Sequence, residues 1–177
     1  VYPDFTFGQQ SNPKAFKQDL IDKFPDEKDG IETYFTDLRK MKQWNYFRLL
    51  AEGNNGLLRW FFKNKKEKLD ALALSTTQEV LNRHFTDSKI KALVASQWGD
   101  HGYPPSKSAF ASHALIVNHY LYGGYYPVGG ASKIADYVVP IVEKQGGKFL
   151  INHEVQEIIV ENGKAVGVNV LKKKGKG

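Results

Sequence analysis

Val155-Gln156-Glu157-Ile158-Ile159-Val160-Glu161-Asn162-Gly163-Lys164-Ala165-Val166-Gly167-Val168-Asn169-Val170 sets two apolar runs on either side of Asn162-Gly163. That dipeptide accepts the positive φ angles a type I′ turn demands at both central positions, so the stretch predicts a β-hairpin. Just upstream, residues 148–151 read as a further strand, separated from what precedes them by Gly146-Gly147. Before that pair, Gly129-Gly130 opens a predicted helix reaching about Gln145, with Ile134, Ala135, Val138, Ile141 and Val142 on one side. Pro140 removes one backbone donor inside it and is expected to bend it.

Toward the N-terminus the pattern becomes helical throughout. Ser106 starts a predicted helix with Phe110, His113, Ala114, Val117 and Leu121 on its apolar side, ended by Gly123-Gly124, after which residues 125–128 read as extended. Residues 57–98 read as several helices, broken by the basic stretch 63–68 and capped at Ser75-Thr76-Thr77 and Thr86-Asp87-Ser88; Ile90, Leu93, Val94, Gln97 and Trp98 share the side of the last. Between residues 26 and 51, Ile31, Tyr34, Phe35, Leu38, Met41, Trp44, Tyr46, Phe47 and Leu50 recur mostly at three and four, and Gly53-Asn54-Asn55-Gly56 ends that helix. Asn12 offers an N-cap before Pro13, with Phe16, Leu20, Ile21 and Phe24 on one stripe. Residues 1–8 alternate like an edge strand, Pro3 excluding a central position. The expected class is therefore α+β, mostly helical, with its sheet at the end.

Composition narrows the functions open to the chain. Of its 177 residues, 41% are hydrophobic and 25% charged, enough for a packed core. There is no cysteine, which excludes disulfides, thiolate-held metals and thiol catalysis. The formal charge is +6, but Lys172, Lys173, Lys174 and Lys176 supply four of those units, so the charge is a tail and no nucleic-acid partner is expected. The longest apolar runs span about four residues, against the roughly 18 a membrane span requires. Val1 opens directly into an alternating run, and the sequence reads as a segment of something longer.

Motifs for nucleophilic or phosphate chemistry are absent: neither G-x-S-x-G, G-x-x-x-x-G-K-[ST] nor G-x-G-x-x-G occurs, and Ser11-Asn12-Pro13-Lys14 matches S-x-x-K without its partner motifs. His113 and His119, six apart, fall on different helix faces, so no metal is expected. Asp100-His101 lies in a Gly/Pro loop where functional groups often sit. Trp98, Tyr103, Phe110, Tyr125 and Tyr126 cluster in sequence with Tyr120 and Tyr122 around the two glycine pairs. They read either as an ordinary core edge or as an apolar slot for an extended lipid. Residues 63–68 read as solvated surface or as a docking patch for anionic lipid.

An ordered series of short segments carries a resemblance. Gly123-Gly124-Tyr125-Tyr126-Pro127-Val128-Gly129-Gly130-Ala131-Ser132-Lys133-Ile134-Ala135, then Val139-Pro140-Ile141, Gly146-Gly147, Val155-x-x-Ile158 and Gly163 through Val168 resemble the flavin-dependent family of phytoene desaturases, carotenoid isomerases and retinol saturases. Trp98, Pro104-Pro105, Ser108-Ala109-Phe110, His113-Ala114-Leu115 and Asn118-His119-Tyr120 are most similar to the retinol saturase branch. The pattern runs over about residues 71–171 and more loosely over the first 70.

The resemblance implies an FAD oxidoreductase of glutathione-reductase-like fold, acting on an isoprenoid, carotenoid, retinoid or other conjugated lipid by hydride transfer. Residues 1–122 would be a mainly helical part of the substrate domain, and 123–177 an incomplete part of the FAD-binding domain. Val155 would contact the adenine through its backbone, Gly129 and Gly130 would lie toward the isoalloxazine, and Trp98, Tyr103, Phe110, Tyr125 and Tyr126 would line the substrate. The family's Gly-rich phosphate loop is missing from these residues, so this chain alone is expected to be inactive and to bind no FAD; flavin absorbance at about 450 nm surviving gel filtration would overturn that. The expected partners are a hydrophobic small molecule, a membrane surface touched peripherally, and a second copy paired through the free hairpin edge. The competing reading is a non-catalytic helical module that binds lipid or a membrane surface.

Overall fold

The computed structural model describes residues 5–173. The chain divides into two compact units, Val1–Gly124 and Tyr125–Gly177. The first is helical, and the second is a helix followed by a two-stranded antiparallel sheet, which makes the class α+β.

α1 (Pro13–Lys23) begins where its cap dictates. Asn12 Oδ1 accepts from the amides of Lys14 and Ala15 at 2.9 and 3.2 Å, and Pro13, which has no N–H to satisfy, takes the first helical position. Phe16, Leu20 and Phe24 are buried behind it. A 3-10 turn, Pro25–Glu27, leads into α2 (Lys28–Gly53), the axis of the unit. Its Ile31, Tyr34, Phe35, Leu38 and Met41 are buried, and it packs against α1, α3 (Gly56–Leu74), α4 (Thr77–His84) and α6 (Phe110–Tyr120). α5 (Ser88–Val94) adds Ile90 and Val94. Thr76 and Glu79 cap α4 reciprocally, each side chain on the other's backbone N–H, and Asp87 caps α5.

Several elements depart from the sequence reading. α3 runs unbroken through the basic stretch, because lysine favours helix and Lys63 and Lys66 pair with Glu67 and Asp70 one turn on. α5 ends at Val94, leaving Gln97 and Trp98 in a 3-10 turn, Ser96–Asp100. α6 starts at Phe110 rather than Ser106, because the carbonyls of Pro105 and Ser108 accept from the amides of Gln78 and Thr77 at 2.9 and 2.8 Å. Groups bonded across to α4 are withdrawn from a helix of their own. Of the expected N-terminal strand, residues 1–4 lie outside the described residues, and 5–8 form no strand. Phe7 instead meets Phe16 edge-on at 6.1 Å and packs on the core.

In the second unit α7 (Ser132–Lys144) passes through Pro140 without interruption. Residues 125–128 and 148–151 are not strands, and neither segment has a pairing partner among the described residues. β1 (His153–Glu161) and β2 (Lys164–Lys172) form the hairpin, with Asn162 at φ +50° and Gly163 at φ +75°, the mirror-image turn that this dipeptide tolerates. Two shifts in pairing, at Val155/Glu157 and at Ile159/Val160, leave Gln156 and Val166 as the extra residues of β-bulges.

Candidate functional site

α2 and α6 pack together in the core, and two grooves open beside them. The larger, about 650 Å3, has apolar walls from Met41, Trp44, Ala73, Leu74, Ala109, Ala111 and Leu115, and a polar side from Lys42, Asn45, Arg48, Ser112, Asn118 and His119. The second, about 500 Å3, is lined by Pro13, Phe35, Leu38, Tyr46, Leu121 and Tyr122 together with Arg39, Lys42, Gln43 and Asn118. Lys42 and Asn118 thus line both. Helical periodicity explains the larger groove: Met41, Trp44, Asn45 and Arg48 form one stripe of α2, and Ala111, Leu115, Asn118 and His119 one of α6.

The walls are held by hydrogen bonds. Trp44 donates its indole N–H to Asp70 at 2.7 Å, and Lys66 bonds the same carboxylate at 2.7 Å, its ammonium 5.7 Å from the centre of the indole. Burial alone would raise Asp70, but the bonds from Lys66 and Trp44 and the ammonium charge outweigh it and hold the carboxyl below its ordinary range. Asn118 donates from its amide nitrogen to the carbonyls of Leu38 at 3.0 Å and Ala114 at 2.8 Å, fixing the side chain between the two helices. Arg48 is held by Glu52 and Asn45. Lys42 makes no ion pair among the described residues.

Such a lining can do particular things. Apolar walls suit a long hydrocarbon, and the Lys42 ammonium and the Asn118 amide oxygen suit a hydroxyl or carbonyl at its end. No carboxylate lines either groove. Among the described residues no three His, Cys, Asp or Glu gather as a metal site.

The substrate-lining residues expected from sequence are not gathered here. Trp98 and Tyr103 are exposed, and Phe110 is wholly buried in the core against Tyr34 and His113; none of the three lines either groove. Tyr125 and Tyr126 belong to the second unit, exposed, with Tyr126 Oη accepting from the Ala131 amide at 3.3 Å. Sequence reasoning missed Lys42, Arg48 and Asn118 as groove residues. Met41 and Trp44 stood on the apolar stripe of α2, but a polar residue flanking such a stripe carries no mark of the cavity it faces.

Among curated proteins the chain is 32% identical over 168 residues to the all-trans-retinol 13,14-reductase of Danio rerio, an overlap of 92% of this chain and 28% of that protein. It is 33% identical over 173 residues to the human protein of the same name, with the same two shares, and 29% identical over 167 residues to the chloroplastic prolycopene isomerase of Daucus carota, covering 88% of the chain and 26% of the isomerase. The chain matches a retinol saturase-like carotenoid desaturase family. It spans about 28% of the length of the retinol reductases it matches. No family model matches it, and no solved structure does.

The residues that the resemblance to the retinol saturase-like family assigns to FAD all fall in the second unit. Val155 lies in β1 beside the first bulge, half exposed and paired with Val170. Among the described residues β1 is paired along one edge only, so the backbone donors and acceptors of its other edge are open to a flat heterocycle, and the strand fits that use. Gly129 and Gly130 stand at φ +88° and +92° ahead of α7, conformations that side chains rarely adopt.

Proposed function

We propose that this chain forms the substrate-side part, and an incomplete FAD-binding part, of a flavin-dependent oxidoreductase that exchanges hydride with a retinoid- or carotenoid-like lipid. The observation that carries this reading is the match to two all-trans-retinol 13,14-reductases across 92% of the chain. The grooves support it. FAD, when bound, supplies the hydride chemistry, and Val155, Gly129 and Gly130 are the residues of this chain that would hold it.

The chain's own part is to bind, align and exclude water. Met41, Trp44, Leu74 and Leu115 cover a polyene, and Lys42 with Asn118 holds the oxygen at its end, which sets the depth to which the chain enters. Walls without a carboxylate suit this task, because no side chain has to carry a proton for a hydrocarbon to be held in register.

All-trans-retinol titrated into the chain tests the binding half, read by Trp44 fluorescence in a background where Trp60 and Trp98 are phenylalanine. Saturable quenching is expected. Ala111→Phe, which fills the larger groove, is expected to weaken binding at least about tenfold, a loss of ~1.4 kcal/mol. Quenching that does not saturate, or an affinity indifferent to Ala111→Phe, would remove the grooves from the reading.

A further inference from the structure

α2 and α3 turn back on each other at Asn54-Asn55, and the outside of this helical hairpin is apolar at its tip. Leu49, Leu57, Leu58, Trp60 and Phe61 are all exposed there, Leu57 to 77% and Trp60 to 61%. The inside is already satisfied. Phe47 and Phe62 stack across the two helices with centroids 6.4 Å apart, and Asn54 Nδ2 donates to the Leu50 carbonyl at 2.8 Å, closing the end of α2. The exposed residues are therefore surplus to the hairpin's own packing, and contiguous apolar surface of this kind marks a contact with something else.

Charge says what that something is. From Gly53 to Lys66 the sequence has no Asp or Glu, while Arg59, Lys63, Lys65 and Lys66 are cationic. At 100° per residue Leu57, Trp60 and Phe61 share one side of α3, and Arg59, Lys63 and Lys66 the other, where the three line a depression with Ala51, Arg48 and Glu52, the last two paired with each other, so the depression keeps a net positive charge. A short amphipathic segment with Trp, Phe and Leu on one face and Lys and Arg on the other is built to lie at a lipid interface. A second copy of the chain would set the same cationic rim against itself. No helix among the described residues is long and apolar enough to cross a membrane.

We propose that the α2–α3 tip docks the protein on the surface of a bilayer that contains anionic lipid. Leu57, Trp60 and Phe61 enter the boundary between headgroups and acyl chains, and Arg59, Lys63 and Lys65 meet the headgroup charge. The proposal is independent of the redox reading, since a lipid-binding module without catalysis would dock in the same way.

Co-sedimentation with phosphatidylcholine vesicles, with and without phosphatidylserine, is the test. Binding is expected to require phosphatidylserine and to weaken as salt is raised. Trp60→Ser with Phe61→Ser, and separately Lys63→Glu with Lys65→Glu, are each expected to lower the partition coefficient at least about tenfold. All four positions are outside the core, so circular dichroism should be unchanged. Because the chain has no cysteine, Leu58→Cys carrying an environment-sensitive dye gives a second readout. Its emission should shift to the blue on phosphatidylserine vesicles, and the same dye at Ser106→Cys should not shift. No vesicle binding, binding indifferent to both pairs of substitutions, or a shift at Ser106 and none at Leu58 would each overturn the proposal, as would a dimer that the tip variants abolish.

Discussion

Burial changes the chemistry of two side chains at the centre of the helical unit. The Tyr34 hydroxyl lies 2.9 Å from His113 Nε2, and burial raises the phenol above its ordinary range. Burial first, and the charge of His101 second, bring His113 down from 6.5 to about 4. The unfolded chain therefore takes up a proton where the folded one does not. Stability from this group is full above 6.5 and drains away as the pH falls toward 4, by about 3 kcal/mol in all. Urea unfolding followed by tryptophan fluorescence reports the helical unit, since Trp44, Trp60 and Trp98 all lie in it. The midpoint of the native chain should drop across that window, and His113→Gln, which cannot titrate, should flatten it. Glu27 works lower on the scale. Its Oε1 accepts from the Thr86 amide and hydroxyl at 2.8 and 2.6 Å and from the Asp87 amide at 2.6 Å. Burial pushes this carboxyl up, but those bonds outweigh it and hold it below 4.5. Its contribution is present above 4.5 and is lost as the pH falls through the lowered value, so Glu27→Gln should cost about 2 kcal/mol at neutral pH and nothing in strong acid. The same urea midpoints, taken at both ends, read this out.

At the scale of elements, caps and turns were legible because each is written in a few adjacent residues. Asn12-Pro13, Thr76, Asp87 and Asn162-Gly163 all act where their types indicate. The close approach of α2 to the end of α4 was not legible, since it joins residues far apart in the chain. Gly30 lies so near that a Cβ there would sit 2.0 Å from the His84 carbonyl oxygen, a backbone atom. Asp37, two turns further along the same face of α2, takes His84 Nε2 at 2.9 Å across the same contact. Helix propensity alone would favour Gly30→Ala by about 1 kcal/mol. The clash reverses that sign, and the substitution is expected to destabilise by about 2–3 kcal/mol, seen as a lower urea midpoint. An unchanged or raised midpoint would mean that α4 moves away freely.

For the molecule as a whole, the two units differ in how complete they are. The first buries an apolar core around α2, whereas Val155, Ile158, Val160, Val166, Val168 and Val170 of the hairpin are all exposed, as are Ile134, Tyr137 and Ile141 of α7. A lone two-stranded hairpin is marginal in water, and its outer edges are unpaired among the described residues. Self-association through such an edge is the outcome expected of it. Sedimentation velocity should show a species larger than the monomer that grows with concentration, and Val168→Lys, placing charge on the second strand, should reduce it. A single monomeric boundary at every concentration would remove the pairing. The tip of α2 and α3 is a further exposed apolar surface, and its basic rim is why we propose anionic lipid rather than a second copy as its partner.

The order of residues along the chain determined much of the local structure on its own: where α1, α4 and α5 begin, which stripe of α1 and α2 is apolar, and that Asn162-Gly163 folds the end into a hairpin. Those outcomes rest on short-range sterics and on hydrogen bonds between neighbours, which a linear reading contains. The tertiary structure alone decided which residues surround a cavity. Lys42 and Asn118 line the same two grooves beside α2 and α6, Glu27 finds its donors about sixty residues away, and Phe110 is withdrawn from the surface into the core. Each of these depends on how helices lie against one another, a matter of packing between distant segments that no single stretch of sequence spells out.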